Sequence, residues 1–580
     1  MDGIFGFFGD PGETIFKEMH DAVSHRVGKA IQKTQTDSFS FGFGKSRDIL
    51  WKHSPEAGIS TQSGITAAIC GFFTDQKSPI TPTSFISCYK DKGISGVLQL
   101  RGSFLAALHD NNTGKSYLIR DAAGQRIIYY AVFGKRLLFS IEPKGVHQVG
   151  GFSRQLNFPA LVQYLSLSFV PGRDTMLKGL FKLPAGCYLR WKADSAPVLY
   201  RYYRFEDTPK EKRSAQDWVL KFRKKFADCT ADRIPQQGNV GVFLSGGLDS
   251  SIVTAQLANQ HEGKLHTFSL HFGSRYPNEL KFSSAVAKRY STEHHVFEVK
   301  PKVFLKRLHE IFWCLDDPIG DPITIPNYEL GAYARKYVDW IFNGEGGDPC
   351  FGGPKNYGML LLHWYGEEER SRFYQEEAYL KLFKRAYSEI DHIFSSAFSE
   401  EVNREKQLYR VLTPFFNASS PAGYLDKLMA MNIKLKGENL ILPKVDRMLG
   451  ANGFYSLSPL FDERMIELSF AMSSNLKLKS GDEKLIMKLA FEKHLPSEVI
   501  FRPKEGMRIP LQHWFRGELK SYAKNLFTKE QVARAGIFNY ERIRQLLDYD
   551  TGELEPRYGM KLWMLLIFEI WRRRVIENEK

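Results

Sequence analysis

Glycines, serines and one aspartate form the run SGGLDSS at 245–251, directly after the apolar stretch VGVFL. Two adjacent glycines let the backbone bend tightly and bring N–H groups against an anion. The serines open a helix, whose first amides favour negative charge. Asp249 would repel a phosphate by itself, so its presence indicates a bridging Mg²⁺. The run therefore predicts a site for pyrophosphate and its metal ion.

The elements around this turn predict an α/β protein with two domains. Residues 1–205 contain short β-like runs separated by Gly, Asn and Asp turns, typical of a layered, sheet-rich domain. After the polar stretch 206–217, strand and helix patterns alternate, which predicts parallel βαβ units with many helices towards residue 580. The glycine turn would then lie at the carboxyl edge of a parallel sheet, where ligands bind.

Composition restricts the class of protein. The net charge of +15 is spread along 580 residues, so it suits an enzyme that holds a polyphosphate, and nucleic-acid binding is less favoured. No apolar run approaches the ~20 residues needed to cross a bilayer, so no membrane partner is expected. The six cysteines form no CxxC pair, which favours a reducing cytoplasm and argues against a structural zinc site.

The SGGLDSS turn lacks the lysine of a Walker loop and resembles the pyrophosphate-binding loop of ATP pyrophosphatases. Three later segments resemble signatures of the asparagine synthetase family: DDPIGDPITIPNYEL (316–330), NGEGGDPCFGGPKNYG (343–358) and the region 443–515, which ends in FRPKEGMRIPLQHWF. The resemblance covers nearly all of 206–580. It implies a doubly wound parallel-sheet synthetase domain with extra helices, which uses ATP and Mg²⁺ to adenylate a carboxylate and releases pyrophosphate.

The resemblance also implies roles for single residues. Glu345 would take a proton from the attacking amine, and Lys504 would neutralise charge on the α-phosphate and the tetrahedral intermediate. Asp249 and Asp348 would hold Mg²⁺ between two loops. The residues expected to contact ATP and its pyrophosphate are Leu244, Ser245, Gly246, Gly247, Asp249, Ser250, Ser251, Ser269 and Gly344.

The first 205 residues resemble the glutamine amidotransferase domain of the same family, an Ntn-hydrolase-like αββα fold. Members that use glutamine begin Met-Cys-Gly-Ile, and the cysteine attacks the amide with its own amine as base. This chain has Asp2 instead, and HRVGK at 25–29 replaces HRGPD. Cys70 stands in place of an oxyanion-site asparagine beside the retained Gly71. The resemblance therefore implies a degenerate domain that makes no ammonia, with Cys70 internal and buried.

A synthetase without ammonia of its own needs another amine. Lasso peptide cyclases of this superfamily join an adenylated acidic side chain of a precursor peptide to its N-terminal amine. The basic balance and the 14% aromatic residues suit a peptide substrate, so this macrolactam synthetase function is favoured. The expected partners are then a precursor peptide, or a small-molecule carboxylate and amine, and for the peptide also a leader peptidase and a peptide-recognition protein.

Three alternatives stay open. β-Lactam synthetases carry Tyr at the position of Glu345, which counts against them, and other natural-product amide synthetases or an ammonia-dependent asparagine synthetase fit the same motifs. A tRNA-modifying enzyme with the same loop is disfavoured because such enzymes lack the segments at 343–358 and 502–515.

Overall fold

Two architectures follow one another along the chain in the computed structural model. The structure describes residues 2–45, 57–74, 80–354, 356–365, 371–383, 385–401, 404–417, 423–502, 506–548 and 558–579. Antiparallel sheets occupy the part before residue 205, and a parallel sheet with many helices occupies the part after it.

Two six-stranded antiparallel sheets form the centre of the first part, as far as it is described. One has the order β10-β8-β9-β1-β3-β2 and the other β12-β11-β7-β6-β5-β4. The strands are β1 (Asp2–Phe8), β2 (Ile31–Gln35), β3 (Phe39–Lys45), β4 (Gly58–Gln62), β5 (Ile65–Thr74), β6 (Arg101–Asp110), β7 (Lys115–Arg120), β8 (Tyr129–Phe133), β9 (Arg136–Ser140), β10 (Phe181–Lys182), β11 (Cys187–Trp191) and β12 (Val198–Arg201).

Helices lie on both outer faces of this pair of sheets and beyond them. They are α1 (Glu13–Val27), α2 (Pro82–Lys92), α3 (Ile94–Val97), α4 (Lys144–His147) and α5 (Phe158–Leu167). Helix α1 packs on β1 and β3, α2 packs on β4 and β5, and β1 faces β5 across the middle. Every residue of β1 and β5 is buried, because each strand is covered on both faces. The predicted αββα layering is confirmed.

A five-stranded parallel sheet organises the second part. Its order is β15-β14-β13-β16-β17, so the chain starts in the middle and winds outwards in both directions. The strands are β13 (Val240–Phe243), β14 (Leu265–His271), β15 (Glu293–Glu298), β16 (Trp340–Phe342) and β17 (Ser456–Leu457), and a separate small ribbon contains β18 (Leu478–Lys479) and β19 (Asp482–Glu483). The order of the strands reverses between β13 and β16, which is where a doubly wound sheet binds its ligands.

Helices lie on both faces of the parallel sheet and pack on one another beyond it. They are α6 (Ala215–Ala231), α7 (Leu248–Gln260), α8 (Leu280–Arg289), α9 (Pro301–Phe304), α10 (Leu308–Leu315), α11 (Thr324–Ala334), α12 (Gly347–Phe351), α13 (Asn356–Tyr365), α14 (Tyr374–Phe383), α15 (Ile390–Ile393), α16 (Ser396–Glu401), α17 (Arg404–Phe416), α18 (Tyr424–Met431), α19 (Leu442–Ala451), α20 (Glu463–Ala471), α21 (Leu485–Phe491), α22 (Ser497–Ile500), α23 (Leu511–Arg516), α24 (Glu518–Leu526), α25 (Lys529–Ala535), α26 (Tyr540–Asp548) and α27 (Tyr558–Val575). Val242 joins the core on the side of α7, whereas Phe268 and Ile341 form a separate core with α11 and α19. The predicted doubly wound sheet is confirmed.

One helix departs from the sequence pattern. The run KVFLKRLHEIFWCL predicts a single helix, but the structure divides it into α9, a 3₁₀ turn at Leu305–Arg307, and α10. Such tighter turns commonly join helical segments. A second irregularity is the π-helix Asn432–Ile441, which joins α18 to α19 without a break. π-Helical turns are rare and often mark functional sites.

The last helix, α27, is the packed terminal helix that its sequence predicts. Trp563 is fully buried, and Tyr164 on α5 donates a hydrogen bond to the carbonyl of Met564 (2.9 Å). Helix α5 precedes residue 205 but packs on α14, α17 and α27, so packing crosses the predicted boundary between 205 and 206, which stays a prediction. Among the described residues, no helix combines the length and apolar character required to cross a bilayer.

Candidate active site

The SGGLDSS turn bends between β13 and α7 in a way that only glycine allows. Gly246 has φ +77°, and a Cβ placed there would lie 2.6 Å from the backbone nitrogen of Ser283. Gly247 precedes α7 without a side-chain cap, so the first amides of the helix remain available to an anion. Ser250 Oγ accepts a hydrogen bond from Ser245 N (3.2 Å), which fixes the shape of the turn.

The loop after β16 touches this turn directly. A Cβ on Gly344 would lie 2.6 Å from the backbone nitrogen of Ser250, and Gly346 has φ +114°. Both positions therefore need glycine, which explains the NGEGG sequence in physical terms. The close approach brings Asp348, on the first turn of α12, beside Asp249 on the first turn of α7.

The two carboxylates predicted to hold Mg²⁺ converge on the ammonium group of Lys484. Its Nζ lies 2.7 Å from both carboxylate oxygens of Asp249 and 2.5 Å from Oδ1 of Asp348. Lys484 is buried and has a left-handed backbone (φ +53°) directly before α21. The residues fit Mg²⁺, because two hard oxygen ligands from adjacent strand ends point at one place.

Glu345, in the loop after β16, lies among several charged groups. Its backbone N–H donates to Asn343 Oδ1 (3.1 Å). Burial, with Asp321 and Asp348 nearby, raises the pKa of Glu345, and Lys444 partly opposes this shift. Lys444 Nζ bonds Asp321 Oδ2 at 2.8 Å, which overcomes the effect of burial and holds the pKa of Asp321 at about 2. A carboxylate with a raised pKa beside a substrate cavity is suited to proton transfer.

A cavity of about 550 Å³ joins these groups. One end is formed by the SGGLDSS turn and by Ser269 and Phe272 on the β14 side. The other end is formed by Glu345, by Arg385 and by Lys436 of the π-helix. Burial lowers the pKa of Lys436, while Asp348 and Asp321 raise it. One end therefore suits a nucleotide, and the charged end suits an acidic second substrate.

The structure gathers almost all of the predicted site residues around this cavity. Ser269 Oγ donates to the carbonyl of Leu244 (2.5 Å), and Ser251 Oγ donates to the carbonyl of Gly247 (2.8 Å). Lys504 lies outside the described residues, so its role stays a prediction. Gly246 and Ser251 belong to the turn but do not line the cavity, whereas the other predicted residues that the structure describes do: Leu244, Ser245, Gly247, Asp249, Ser250, Ser269, Gly344, Glu345 and Asp348.

Three positive residues near the site were not singled out by the sequence. Lys484 directly precedes the short helix α21, and Lys436 lies in a stretch with no recognisable motif. Arg502 stacks on Phe282, which packs beside the SGGLDSS turn, and forms an ion pair with Glu279. The sequence signal for Arg502 is its position in FRPKEGM, two residues before Lys504.

The centre corresponding to a glutaminase is filled by an ion pair. The carboxylate of Asp2 pairs with Arg126 and accepts a hydrogen bond from Gly71 N–H (2.9 Å). The backbone N–H of Asp2 donates to the hydroxyl of Tyr455 (2.9 Å), which directly precedes β17 of the parallel sheet. Arg126 and these interactions lower the pKa of Asp2 despite burial. Asp2 therefore anchors the first sheet to the second part of the chain.

Cys70 cannot replace the missing nucleophile. Its side chain is fully buried, and burial raises the pKa of its thiol to about 12. A thiol that stays protonated is a weak nucleophile. The prediction that Cys70 is internal and buried is confirmed.

We expect glutamine to give no glutamate with this protein. The amide of Gly71, which should stabilise an oxyanion, already donates to Asp2, and neither Asp2 nor Cys70 can supply a thiolate. The measurement is glutamate release, coupled to glutamate dehydrogenase, with and without ATP. Glutamate formation that depends on the protein would contradict the loss of glutaminase chemistry.

Replacing Asp2 with alanine should lower the free energy of unfolding by about 3 kcal/mol, because it leaves the buried guanidinium of Arg126 without its carboxylate. Urea denaturation of the wild type and Asp2→Ala measures the difference, and Asp10→Ala on the exposed surface is the matched control. The double variant Asp2→Ala/Arg126→Met should recover much of the loss. Equal stability of all four proteins would show that the ion pair is not an anchor.

Comparisons with known proteins find relatives over most of the chain. Residues 221–573, more than half of the chain, match the asparagine synthase family, and residues 83–203 match a glutamine amidotransferase domain. Asparagine synthetase [glutamine-hydrolyzing] 1 of Bacillus subtilis is 26% identical over 514 residues, which are 84% of this chain and 80% of that protein. Amidase chry2 of Gibberella zeae is 22% identical over 656 aligned positions, covering 97% of this chain and 96% of that protein.

Two solved structures resemble parts of the chain at low similarity. Glutamine phosphoribosylpyrophosphate amidotransferase from Bacillus subtilis has a TM-score of 0.26 and 10% identity over 51% of this chain and 90% of its own. NMN synthetase from Francisella tularensis has a TM-score of 0.19 and 11% identity over 38% of this chain and 94% of its own. The family match over 221–573 assigns the protein to a family, and the order of the parallel strands is consistent with that assignment. The chain belongs to the asparagine synthase family of ATP-dependent carbon–nitrogen ligases, which form AMP and pyrophosphate.

Proposed function

We propose that this protein activates a substrate carboxylate as its acyl-adenylate and joins it to an amine that does not come from glutamine. The observation that carries the proposal is the convergence of Asp249, Asp348 and Lys484 at the switch point of the sheet, with Glu345 on the same loop. Phosphate-binding amides, two metal-binding carboxylates, a cation and a base are the groups that adenylation and amide formation need.

Adenylation takes place at the nucleotide end of the cavity. The amides of the SGGLDSS turn bind the β- and γ-phosphates of ATP. Asp249 and Asp348 would hold Mg²⁺, which supplies positive charge to the pyrophosphate leaving group. The substrate carboxylate oxygen bonds to the α-phosphorus as the bond from the α-phosphorus to the bridging oxygen breaks, and pyrophosphate leaves. Lys484 stabilises the negative charge that gathers on the α-phosphate.

Amide formation takes place beside Glu345. The amine attacks the acyl carbon, Glu345 accepts its proton, and the carbon–oxygen bond to AMP breaks. The raised pKa of Glu345 makes its carboxylate a stronger base than an exposed carboxylate, which favours the acceptance of the amine proton. The products are an amide, AMP and pyrophosphate.

The amine is the point at which this protein differs from glutamine-dependent relatives. Because the Asp2–Arg126 pair fills the glutaminase centre, the amine must reach the cavity from outside. We propose the N-terminal amine of a precursor peptide, whose own acidic side chain is adenylated, so that the product is a macrolactam of the lasso type. A leader peptidase and a peptide-recognition protein would prepare and deliver that peptide, in the cytoplasm.

An exposed apolar face beside the site supports a peptide substrate. Helix α13 begins at Asn356, which shares a small cavity with Asp348 and Lys436. Its far end exposes Leu361, Trp364 and Tyr365 to 54%, 65% and 81%. The helix is about 15 Å long, so apolar side chains of a peptide could pack there while its acidic residue lies in the cavity.

Ammonia-dependent asparagine synthesis is the second candidate. The match to asparagine synthetases over most of the chain favours it. It differs from the first candidate in its products, since it needs free aspartate and ammonium and forms no ring.

One experiment separates these possibilities. The protein is incubated with ATP, Mg²⁺ and either aspartate with ammonium or acidic precursor peptides, and both pyrophosphate release and product mass are followed. A peptide that loses the mass of one water with stoichiometric AMP supports the macrolactam proposal, and asparagine supports the second candidate. Formation of ADP and orthophosphate in place of AMP and pyrophosphate would overturn the proposed chemistry altogether.

A further inference from the structure

Two histidines and a glutamate lie together at the end of the parallel sheet opposite to the nucleotide site. His266 on β14 is paired with Glu293 on the edge strand β15, and Phe268 is paired with His295. Since side chains two positions apart share a face of a strand, His266, Glu293 and His295 all lie on one face. Their ligand atoms lie within 4.8 Å of one another.

The separations are close to those of a metal site. His266 Nδ1 and His295 Nε2 are 3.1 Å apart, and His295 Nε2 is 3.7 Å from Glu293 Oε1. Ligands at about 2.0–2.2 Å from a tetrahedral zinc ion are separated from one another by roughly 3.3 Å. Only small side-chain rotations would therefore bring all three ligand atoms to one ion.

The surroundings hold the ligands in this arrangement. The ring of His295 packs against Tyr337 and Phe268, with centroid distances of 4.1 and 4.9 Å. Lys264 pairs with Oε2 of Glu293, so that Oε1 faces the histidines. Glu293 and His295 are partly exposed, which leaves a route for an ion and a water ligand from solvent.

We infer that His266, Glu293 and His295 form a zinc-binding site that ties the edge strand β15 to β14. Two imidazoles and one carboxylate, with a fourth position for water, are a ligand set typical of Zn²⁺, whereas Mg²⁺ and Ca²⁺ prefer oxygen ligands alone. The lack of a CxxC pair argues against zinc bound by cysteines, and it says nothing about a site made of histidines and a glutamate.

The site is separate from the proposed active site. His266 is aligned with Gly241 on β13, four residues before Ser245 of the SGGLDSS turn. At about 3.3 Å per residue, the two sites are separated by roughly 13 Å along the strand. The inference therefore does not depend on the proposed function.

Zinc titration of chelator-treated full-length protein tests the inference. The titration uses ZnCl₂ in competition with a chromophoric chelator at roughly pH 7.5, where ordinary histidines are neutral, and Mg²⁺ is present throughout to occupy the aspartates of the active site. The variants are His266→Gln, His295→Gln and Glu293→Gln, of which the last changes only a partly exposed side chain. His392→Gln, on the surface of α15, is the matched control.

The wild type and His392→Gln should bind one zinc per chain, and each ligand variant should bind it at least about tenfold more weakly. Cobalt bound in place of zinc should give the visible absorption of a four-coordinate site, and His295→Gln should lose it. Zinc should also raise the thermal unfolding midpoint of the wild type and of His392→Gln, and it should raise that of the ligand variants much less. A wild type that binds no stoichiometric zinc, or ligand variants that bind it as tightly as the wild type, would overturn the inference.

Discussion

Lys484→Ala should reduce the rate of pyrophosphate formation by roughly 10²–10³-fold, the usual effect of removing one group that stabilises transition-state charge. The ammonium group lies 2.7 Å from Asp249 and 2.5 Å from Asp348, at the place where the phosphates of ATP and their metal must meet the two loops. In Lys484→Ala, the positive charge that offsets the negative charge of the α-phosphate and of the two carboxylates is missing. Pyrophosphate release under saturating ATP and Mg²⁺ measures the loss.

A neighbouring lysine provides the control for this variant. Lys488 lies on α21, the helix that follows Lys484, and bonds the exposed carboxylate of Asp482 (2.9 Å) away from the cavity, so Lys488→Ala should keep its activity. Lys484→Asn tests for a folding defect, because asparagine tolerates the left-handed backbone at this position. Lys504→Ala in the same assay tests the lysine that the family resemblance implies. A folded Lys484→Ala protein with normal pyrophosphate release would refute the role of Lys484.

Glu345→Gln should reduce amide formation by about 10²–10⁴-fold, the range that a general base contributes. Adenylation should continue, because Glu345 is assigned to the amine and not to the phosphates. The expected signature is therefore a split: exchange of labelled pyrophosphate into ATP persists, while product amide is lost. A variant that loses both reactions equally would show that Glu345 positions the nucleotide instead.

The pH dependence of amide formation follows from the same residue. Burial, Asp321 and Asp348 raise the pKa of Glu345 above its ordinary value of 4.5. A base acts in its deprotonated form, so the rate should fall as the pH falls through this raised pKa and should be full above it. The acid limb should disappear in Glu345→Gln. An acid limb that persists unchanged in the variant would assign the titration to another group.

Local backbone chemistry explains why the nucleotide loops could be predicted. SGGLDSS and NGEGG need glycine at Gly246, Gly344 and Gly346, because a Cβ there would collide with a neighbouring backbone. These requirements for glycine concern a few consecutive residues, so the sequence itself shows them. The strand and helix periods on each side are equally local, so the parallel sheet and its carboxyl edge followed from the sequence.

The partners of those loops could not be predicted in this way. Lys484 is separated from Asp249 by 235 positions in the chain, and the residues around it form no recognisable motif. Helix α5 reads as part of the first domain, yet it packs against α27. Burial and long-range packing decide these placements, and neither leaves a periodic signal in a short window.

The sequence by itself determined the two sheet architectures, the phosphate-binding turn and the loss of the cysteine nucleophile, because each depends on residue types at adjacent positions. Only the tertiary structure decided which distant residues come together: Arg126 and Tyr455 around Asp2, Lys484 between two carboxylates, and His266 beside Glu293 and His295. These groups meet because strands and helices from distant parts of the chain pack together, and the short distances over which charges and ligands act make that packing decisive.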